Sequence, residues 1–205
     1  MSKNVLVRGI YAGILIGLAS LLYLSVENTY LGSMLFSLGL LVVCAEGLYL
    51  YTGKVGYLAR EKNYFVTVLT TLLANIIGIS FISVMGLIAK PSLYDKATML
   101  VEGKLSNSIL SVIILSMFCG MMMYIAVEGY RRITNDVAKV IVVIFAVMVF
   151  ILSKFEHSIA NMTYLIVSKT FTFKSMFYLL LMIIGNGIGA SILCTIDKYI
   201  DKYSL

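Results

Sequence analysis

The sequence predicts an all-α membrane protein with six transmembrane helices, and two observations carry this prediction. Of the 205 residues, 60% are hydrophobic and only 13% are charged, whereas a soluble domain of this size has about 25% charged residues. The apolar residues form a series of long stretches, and most charged residues flank them. Lipid is therefore the expected solvent for most of the chain.

Six apolar segments are long enough to cross a bilayer, for which a helix needs about 20 residues. They lie near 5–25, 31–51, 65–89, 105–128, 137–153 and 175–196. A further apolar stretch at 157–168 is too short by itself and directly follows the charged residues Lys154, Glu156 and His157. It predicts the second half of an interrupted helix. The unbroken series of segments favours a single domain over 1–205.

The distribution of basic residues predicts the orientation in the membrane. Lys and Arg accumulate on the cytoplasmic side of membrane proteins. Placing the amino terminus inside puts ten of them on that side and five on the other. The ten are Lys3, Arg8, Lys54, Arg60, Lys62, Arg131, Arg132, Lys139, Lys198 and Lys202, and the five are Lys90, Lys96, Lys104, Lys169 and Lys174. We therefore expect a multi-pass protein of the inner (cytoplasmic) membrane with both termini in the cytoplasm.

Two pairs of landmarks predict an internal repeat. The third segment contains LLANIIGIS with Asn75, and the sixth contains IIGNGIGAS with Asn186, 111 positions later. The polar interruption of the second segment around Thr52 has a counterpart around His157, about 105 positions later. Short Asn/Gly motifs also recur by chance in membrane helices, but the agreement of the two offsets favours a repeat.

The repeat predicts where a permeation site would lie. Three segments in each half, an odd number, require the halves (about 1–100 and 101–205) to have opposite orientations. Interruptions at matching positions of two inverted halves indicate a site near the membrane midplane. Ionisable side chains in hydrocarbon are costly and usually face a cavity or a partner. Glu46, Lys154 and Glu156 are such side chains by position.

His157 is the only histidine of the chain, and a lone histidine is usually a packed structural residue. Here it lies at a predicted helix interruption beside Glu156. Irregular backbone at that depth is tolerated only where it is buried in protein or lines a water-filled cavity. We therefore expect a pore role for His157, with Lys104 at the outer mouth of the fourth segment.

Several motifs resemble those of the formate/nitrite transporter family of anion channels. The segment FEHSIANM (Phe155 to Met162) resembles the family hallmark, and LGLLVVCAEGLYLYTG (Leu38 to Gly53) is similar to the family's broken second helix, with Thr52 as the loop threonine. The segment FCGMMMYIAV is similar to the fourth helix, and Lys104 stands where the family has a vestibule lysine. Three apolar residues fall where the family has its constrictions: Phe36, Leu40 and Phe150.

The resemblance implies an aquaporin-like protomer with interrupted helices 2 and 5, assembled as a homopentamer with one pore per protomer. Such proteins pass formate, nitrite, hydrosulfide or similar anions of weak acids, often with a proton. A vestibule lysine attracts the anion, an apolar ring opposes a bare ion, and a central histidine donates a hydrogen bond or a proton. The expected pore residues are His157, Lys104, Thr52, Glu156, Phe36, Leu40, Phe150, Asn161, Lys154 and Glu46.

Two positions depart from the family pattern. Tyr49 stands where the second-helix motif usually has an acid, and Glu46 lies one helical turn earlier. Lys154 replaces a small residue three positions before the histidine. One hypothesis is that Glu46 and Lys154 form a buried ion pair, because an unpaired charge would be costly. The alternative is that Lys154 lines the pore and strengthens the attraction of anions.

Other classes of function lack support in the sequence. No phosphate-binding loop, no nucleophile paired with a base and no His/Cys/Asp/Glu set with ligand spacing is present, so we expect no enzyme, no cofactor and no metal. The net charge of +6 includes no dense basic run, so we do not expect nucleic-acid binding. The alternative is an aquaporin-like pore for neutral small solutes, but its paired Asn-Pro-Ala motifs are absent, because Pro91 is the only proline.

Overall fold

The chain folds into helices, several of which begin at a polar cap or end at a residue in the left-handed region. The computed structural model describes residues 3–203, with the side chains of residues 3–202, and no strand occurs within that range. The helices are α1 (Lys3–Ser25), α2 (Thr29–Ala45), α3 (Tyr51–Lys54), a 3₁₀ helix (Val55–Ala59), α4 (Phe65–Ala89), α5 (Leu93–Leu105), α6 (Ile109–Arg132), α7 (Asp136–Leu152), α8 (Ser158–Val167) and α9 (Phe173–Tyr203).

Side-chain caps explain four of the helix starts. Asn28 precedes α2 and accepts a hydrogen bond from the backbone N–H of Leu31, and Ser108 caps α6 in the same way. Asn135 caps α7, and His157 caps α8 through its ring nitrogen. These side chains satisfy backbone donors that have no partner inside the helix.

Within the described chain, four helices are long and apolar enough to cross a membrane. They are α1, α4, α6 and residues Phe173–Lys202 of α9. The helices α2 and α7 are shorter, with 17 residues each. The segment expected at 31–51 therefore contains a helix end at Ala45, and the segment expected at 105–128 begins as a helix only at Ile109.

The helix α5 was not predicted from apolar length. It docks on the end of α1, because Lys96 donates hydrogen bonds to the carbonyl oxygens of Tyr23 and Val26 and lies 5.8 Å from the centroid of the Tyr23 ring. Burial lowers the pKa of Lys96 below its usual value. Lys104 follows at the last turn of this helix, so α5 positions one of the expected pore residues.

The helices α2 and α7 end with the same backbone motif. After α2, Gly47 has φ +60° and the N–H of Leu48 donates to the carbonyl oxygen of Val43 at 2.9 Å. After α7, Lys154 has φ +55° and the N–H of Phe155 donates to the carbonyl oxygen of Phe150 at 2.9 Å. A residue in the left-handed region followed by this hydrogen bond is the Schellman helix ending.

Two buried asparagines hold the segments that follow. Asn75 of α4 accepts a hydrogen bond from the N–H of Tyr51 at 2.7 Å and donates to the carbonyl oxygens of Tyr49 and Gly9 at 2.8 Å each. The backbone groups of Tyr49 and Tyr51 lie outside regular helical pairing, whereas the carbonyl oxygen of Gly9 lies inside α1 and accepts this hydrogen bond in addition to its helical one. The side chain of Asn75 therefore stabilises the start of α3 against α4 and α1.

Asn186 of α9 makes the equivalent set of contacts. It accepts a hydrogen bond from the N–H of Ser158 at 2.9 Å and donates to the carbonyl oxygens of Glu156 at 2.7 Å and Ser116 at 2.8 Å. These partners lie 107 positions after Tyr51, Tyr49 and Gly9. The offset of about 105 expected for the interruptions is therefore 107, and the residue matching His157 is Leu50, not Thr52.

Candidate functional site

His157 lies between α7 and α8, where it contacts Thr52 of α3. It is only 2% exposed, and its Nε2 is 3.1 Å from the Oγ1 of Thr52, which is fully buried. Its Nδ1 accepts a hydrogen bond from the N–H of Ala160 at 3.1 Å. Because Nδ1 accepts, a neutral ring carries its proton on Nε2 and donates it to Thr52 Oγ1. The structure thus brings together the two polar residues expected at the centre.

Apolar rings surround this histidine. The Phe150 ring centroid lies 5.3 Å from that of His157, and the Phe36 ring packs edge-on against Phe150 at 5.7 Å. Leu40, Phe36 and Phe150 are all buried in the main core. Aromatic and aliphatic groups offer no hydrogen bonds to a passing ion. The expected constriction residues Phe36, Leu40 and Phe150, here called the apolar layer, belong to one buried core, in which Phe150 lies next to His157.

Glu156 is a buried carboxylate with two partners. Its Oε2 lies 2.7 Å from Lys104 Nζ and accepts a hydrogen bond from Asn161 Nδ2 at 2.7 Å. Asn161 also donates to the sulfur of Met182 at 3.1 Å. A buried charge of this kind is costly unless it is paired and hydrogen-bonded. The ammonium of Lys104 is thus neutralised by Glu156.

A cavity of about 660 Å³, here called the His157 cavity, opens onto these residues. Six of the expected pore residues line it: His157, Glu156, Lys104, Asn161, Phe150 and Lys154. The aromatic side chains of Tyr23 and Tyr164 line the same space. The histidine and the carboxylate therefore border an open volume and are not sealed inside the helix packing.

A second cavity of about 330 Å³, here called the Lys54 cavity, approaches the apolar layer through α2 and α3. Its lining includes Val43, Leu48 and Leu50, together with Lys54 and Arg131. Val43 and Leu50 are the residues that match Phe150 and His157 at the offset of 107. Val43 and Leu50 therefore line the Lys54 cavity, and the residues 107 positions later line the His157 cavity.

A family model described as "Formate/nitrite transporter" matches residues 2–200 of the 205. The chain belongs to the formate/nitrite transporter family. Two solved structures share its fold. An "FNT family ion channel" has a TM-score of 0.85 at 20% identity, with 96% of this chain and 89% of that chain covered. A "Pentameric formate channel with formate bound" has a TM-score of 0.81 at 22% identity, with 97% and 96% covered. No curated protein sequence matches the chain.

The family and both structural neighbours are transporters and channels, not enzymes. Among the described residues, no three His, Cys, Asp or Glu side chains are grouped so that they could hold a metal ion. The long apolar helices of this family member are those of an integral membrane protein. Its polar centre therefore belongs to a transport fold.

The hypothesis of an ion pair between Glu46 and Lys154 is wrong. Within residues 3–202 no salt bridge joins them, and both side chains are exposed. The physical reason is that they lie in different interruptions. Lys154 lines the His157 cavity, whereas Gly47 and Leu48, which follow Glu46, line the Lys54 cavity. Glu46 lines neither of these two cavities.

Sequence reasoning missed the importance of Lys54, which counted only toward the orientation. Its Nζ lies 5.2 Å from the ring centroid of Tyr49 and 5.6 Å from that of Tyr57. The available signal was the repeat itself, because Lys54 stands 107 positions before Asn161, a residue of the family hallmark. An offset of 105 pairs Lys54 with a different residue, so this correspondence was not recognised from the sequence.

Sequence reasoning also missed Glu128, which is 4% exposed near the end of α6. Its carboxylate accepts hydrogen bonds from Arg131, from Arg132 at 2.8 Å and from the hydroxyl of Tyr57 at 2.8 Å. Arg132 also binds Asp201 of α9 at 3.1 Å. This network fixes the Tyr57 side of the Lys54 cavity to two long helices.

Proposed function

We propose that this protein is a membrane channel that passes small monovalent anions of weak acids, such as formate, nitrite or hydrosulfide. The observation that carries the proposal is the position of His157. It lies in the apolar layer, hydrogen-bonded to Thr52, and it borders a cavity that also contains charged side chains. Membership of the formate/nitrite transporter family supports the same class of substrate.

Six membrane crossings are proposed for the chain. The four long helices supply four of them. The other two are α2 continued by α3 with the 3₁₀ helix, and α7 continued by α8. A helix of 17 residues is about 26 Å long and does not by itself cross about 30 Å of hydrocarbon. The matching contacts of Asn75 and Asn186 support two halves, about 1–100 and 101–205, in inverted orientation.

The proposed orientation places both termini in the cytoplasm of a cell with an inner membrane. The Lys54 cavity then opens to the cytoplasm, because Arg60, Arg131 and Arg132 cluster at that end of the molecule. The His157 cavity opens to the other side. An anion would therefore meet cationic residues at both entrances and the apolar layer between them.

The chemistry proposed at the centre follows from the hydrogen bonds of His157. Its Nδ1 is occupied by the N–H of Ala160, so its single ring proton lies on Nε2 and points to Thr52. The Thr52 hydroxyl is then free to donate a hydrogen bond to an anion in the layer. A weak-acid anion that takes a proton from water in one cavity and returns it to water in the other crosses the apolar layer as a neutral acid, which avoids most of the desolvation penalty of a bare ion.

The test is a flux measurement in liposomes reconstituted with the purified protein. Formate, nitrite, hydrosulfide, chloride and glycerol are compared at several pH values between 5 and 8. Weak-acid anions should cross faster as the pH falls, because the neutral form gains population, and chloride should be much slower. Glycerol flux without anion flux would instead support the aquaporin-like pore for neutral solutes and would contradict the proposal.

A further inference from the structure

Lys54 is a cation without an acidic partner in a cavity that has room for a ligand. It lines the cavity of about 330 Å³, and the residues around that cavity include no Asp or Glu. It forms no salt bridge with any residue of the described chain. Its ammonium is held near the faces of the Tyr49 and Tyr57 rings. Aromatic faces stabilise a cation and do not neutralise its charge.

The matching positions of the other half show what is missing here. At the offset of 107, Lys54 corresponds to Asn161 and Tyr49 corresponds to Glu156. In the second half the amide donates to the carboxylate, and Lys104 neutralises that carboxylate. In the first half a tyrosine replaces the carboxylate and an ammonium replaces the amide. The Lys54 cavity therefore keeps a positive charge that the His157 cavity compensates at the same position.

The other charged groups near this cavity leave that charge in place. Arg131 also lines the cavity, but its guanidinium is bound by Glu128. The carboxylate of Glu128 also accepts hydrogen bonds from Arg132 and from the hydroxyl of Tyr57. Arg8 donates to the carbonyl oxygen of Gly47 at 3.3 Å. The surroundings of Lys54 are thus basic or already paired, and in a confined space such a charge concentrates anions.

We propose that the Lys54 cavity is an anion-binding site at the cytoplasmic end of the pathway, with Lys54 as the binding charge. Tyr49 and Tyr57 position its ammonium, and the ligand is a small monovalent anion such as formate. The site deepens the proposed function and rests on it for the route by which the anion leaves toward His157. It makes the two entrances unequal, because the free lysine of the Lys54 cavity is held over two tyrosine rings, whereas Lys154, the free lysine of the His157 cavity, is exposed.

The chain contains its own reporter for this charge. Cys44 lines the Lys54 cavity and is partly exposed, whereas Cys119 and Cys194 are fully buried. The reporter reaction is modification of Cys44 in purified protein by methanethiosulfonates that carry either a sulfonate or a trimethylammonium group. The measured quantity is the ratio of the two rates, so the intrinsic reactivity of the thiol cancels. Cys44→Ala should abolish the modification and identifies the reacting residue.

We expect the anionic reagent to react faster than the cationic one in the unaltered protein. Lys54→Gln should lower the rate ratio about tenfold, as removal of one nearby charge at intermediate dielectric implies, and Lys54→Arg should preserve it. Sodium formate should slow the anionic reagent in the unaltered protein and have no such effect in Lys54→Gln. Lys154→Gln, which removes a charge from the other cavity, serves as the matched control and should leave the ratio unchanged.

An unchanged ratio in Lys54→Gln, or the absence of formate protection, overturns the proposal. Should Lys54→Gln fail to fold, the unaltered protein still decides, because a rate ratio of one without formate protection is incompatible with an anion site. The reaction needs no transport. Failure of the anion site is therefore distinguishable from failure of the channel function, which is measured as flux in liposomes.

Discussion

At the residue scale, each polar side chain at the centre has a defined partner. His157 is fixed on both ring nitrogens, and Glu156 is fixed by Lys104 and Asn161. By contrast, Lys154 lines the same cavity without an ion pair among residues 3–202. The lysine expected from the resemblance is therefore neutralised, and the lysine that departs from the family pattern supplies the free charge.

Lys154→Gln should reduce anion entry from the side of the His157 cavity. Loss of a single partly solvated charge is worth about 1 kcal/mol, so the flux at low anion concentration should fall about fivefold. Raising the ionic strength should remove most of the difference, because salt screens such a charge. The measurement is formate flux in liposomes at low and high salt, with Lys154→Arg as the control. Equal flux at low salt for both variants would refute this role.

Asn186 should be essential for stability. Asn186→Leu leaves the N–H of Ser158 and the carbonyl oxygen of Glu156 without partners, and each unsatisfied buried group costs about 1–3 kcal/mol. We expect a loss of at least about 2 kcal/mol, measured as a lower thermal unfolding midpoint in detergent. The exposed Thr195→Ala on the same helix is the control. A midpoint within error of the unaltered protein would show that water replaces the amide.

At the element scale, the two Schellman endings of α2 and α7 direct the chain to the central layer. Their positions were predicted from the resemblance and from the charged residues near His157. The predicted offset of about 105 lies close to the 107 that relates the hydrogen-bond partners of Asn75 and Asn186, and Thr52 and His157 are contact partners and not equivalent positions. The helix α5 was missed because its charged and polar residues give it a short apolar face, and a search for long apolar segments does not detect such a helix.

Substitutions at the two helix endings should change the stability of the protein in opposite directions. The backbone of Lys154 lies in the left-handed region, where a residue with a Cβ is disfavoured by about 1 kcal/mol. Lys154→Gly removes the Cβ and should stabilise the protein by about that amount. Gly47→Ala should destabilise it by about 1 kcal/mol for the same reason. Thermal unfolding of both variants, with Lys154→Gln to separate charge from backbone, checks the pair. A stability loss in Lys154→Gly would mean that its side chain contributes more than its backbone costs.

At the scale of the whole molecule, the proposed inverted halves would explain why polar residues gather near His157. The contacts of Asn75 and Asn186 join three helices each and fix both interruptions at corresponding places. Long-range hydrogen bonds of this kind do not follow from local sequence patterns. The long apolar stretches predicted most of the helices, and the hallmark motif predicted the central residues. The pairing of Lys104 with Glu156 and the unpaired charge of the Lys54 cavity could be recognised only from the structure.

The assembly of the protein is a further prediction at this scale. Many large apolar side chains remain exposed along α2, α4 and α7, among them Leu38, Phe81 and Phe145. In the proposed homopentamer some of these surfaces contact neighbouring copies and the rest contact lipid. Native mass spectrometry from detergent should give five times the chain mass of 22.6 kDa. A predominant monomer or a ring of another size would contradict the pentamer.

The central claim is that a small anion receives a hydrogen bond from the Thr52 hydroxyl, which His157 orients, as it crosses the apolar layer. Its most direct test is formate flux in liposomes as a function of pH for the unaltered protein and His157→Asn. We predict that the variant loses about tenfold or more in flux, since a hydrogen bond to a charged group contributes about 1.5–3 kcal/mol. Flux in His157→Asn with the rate of the unaltered protein would contradict the account.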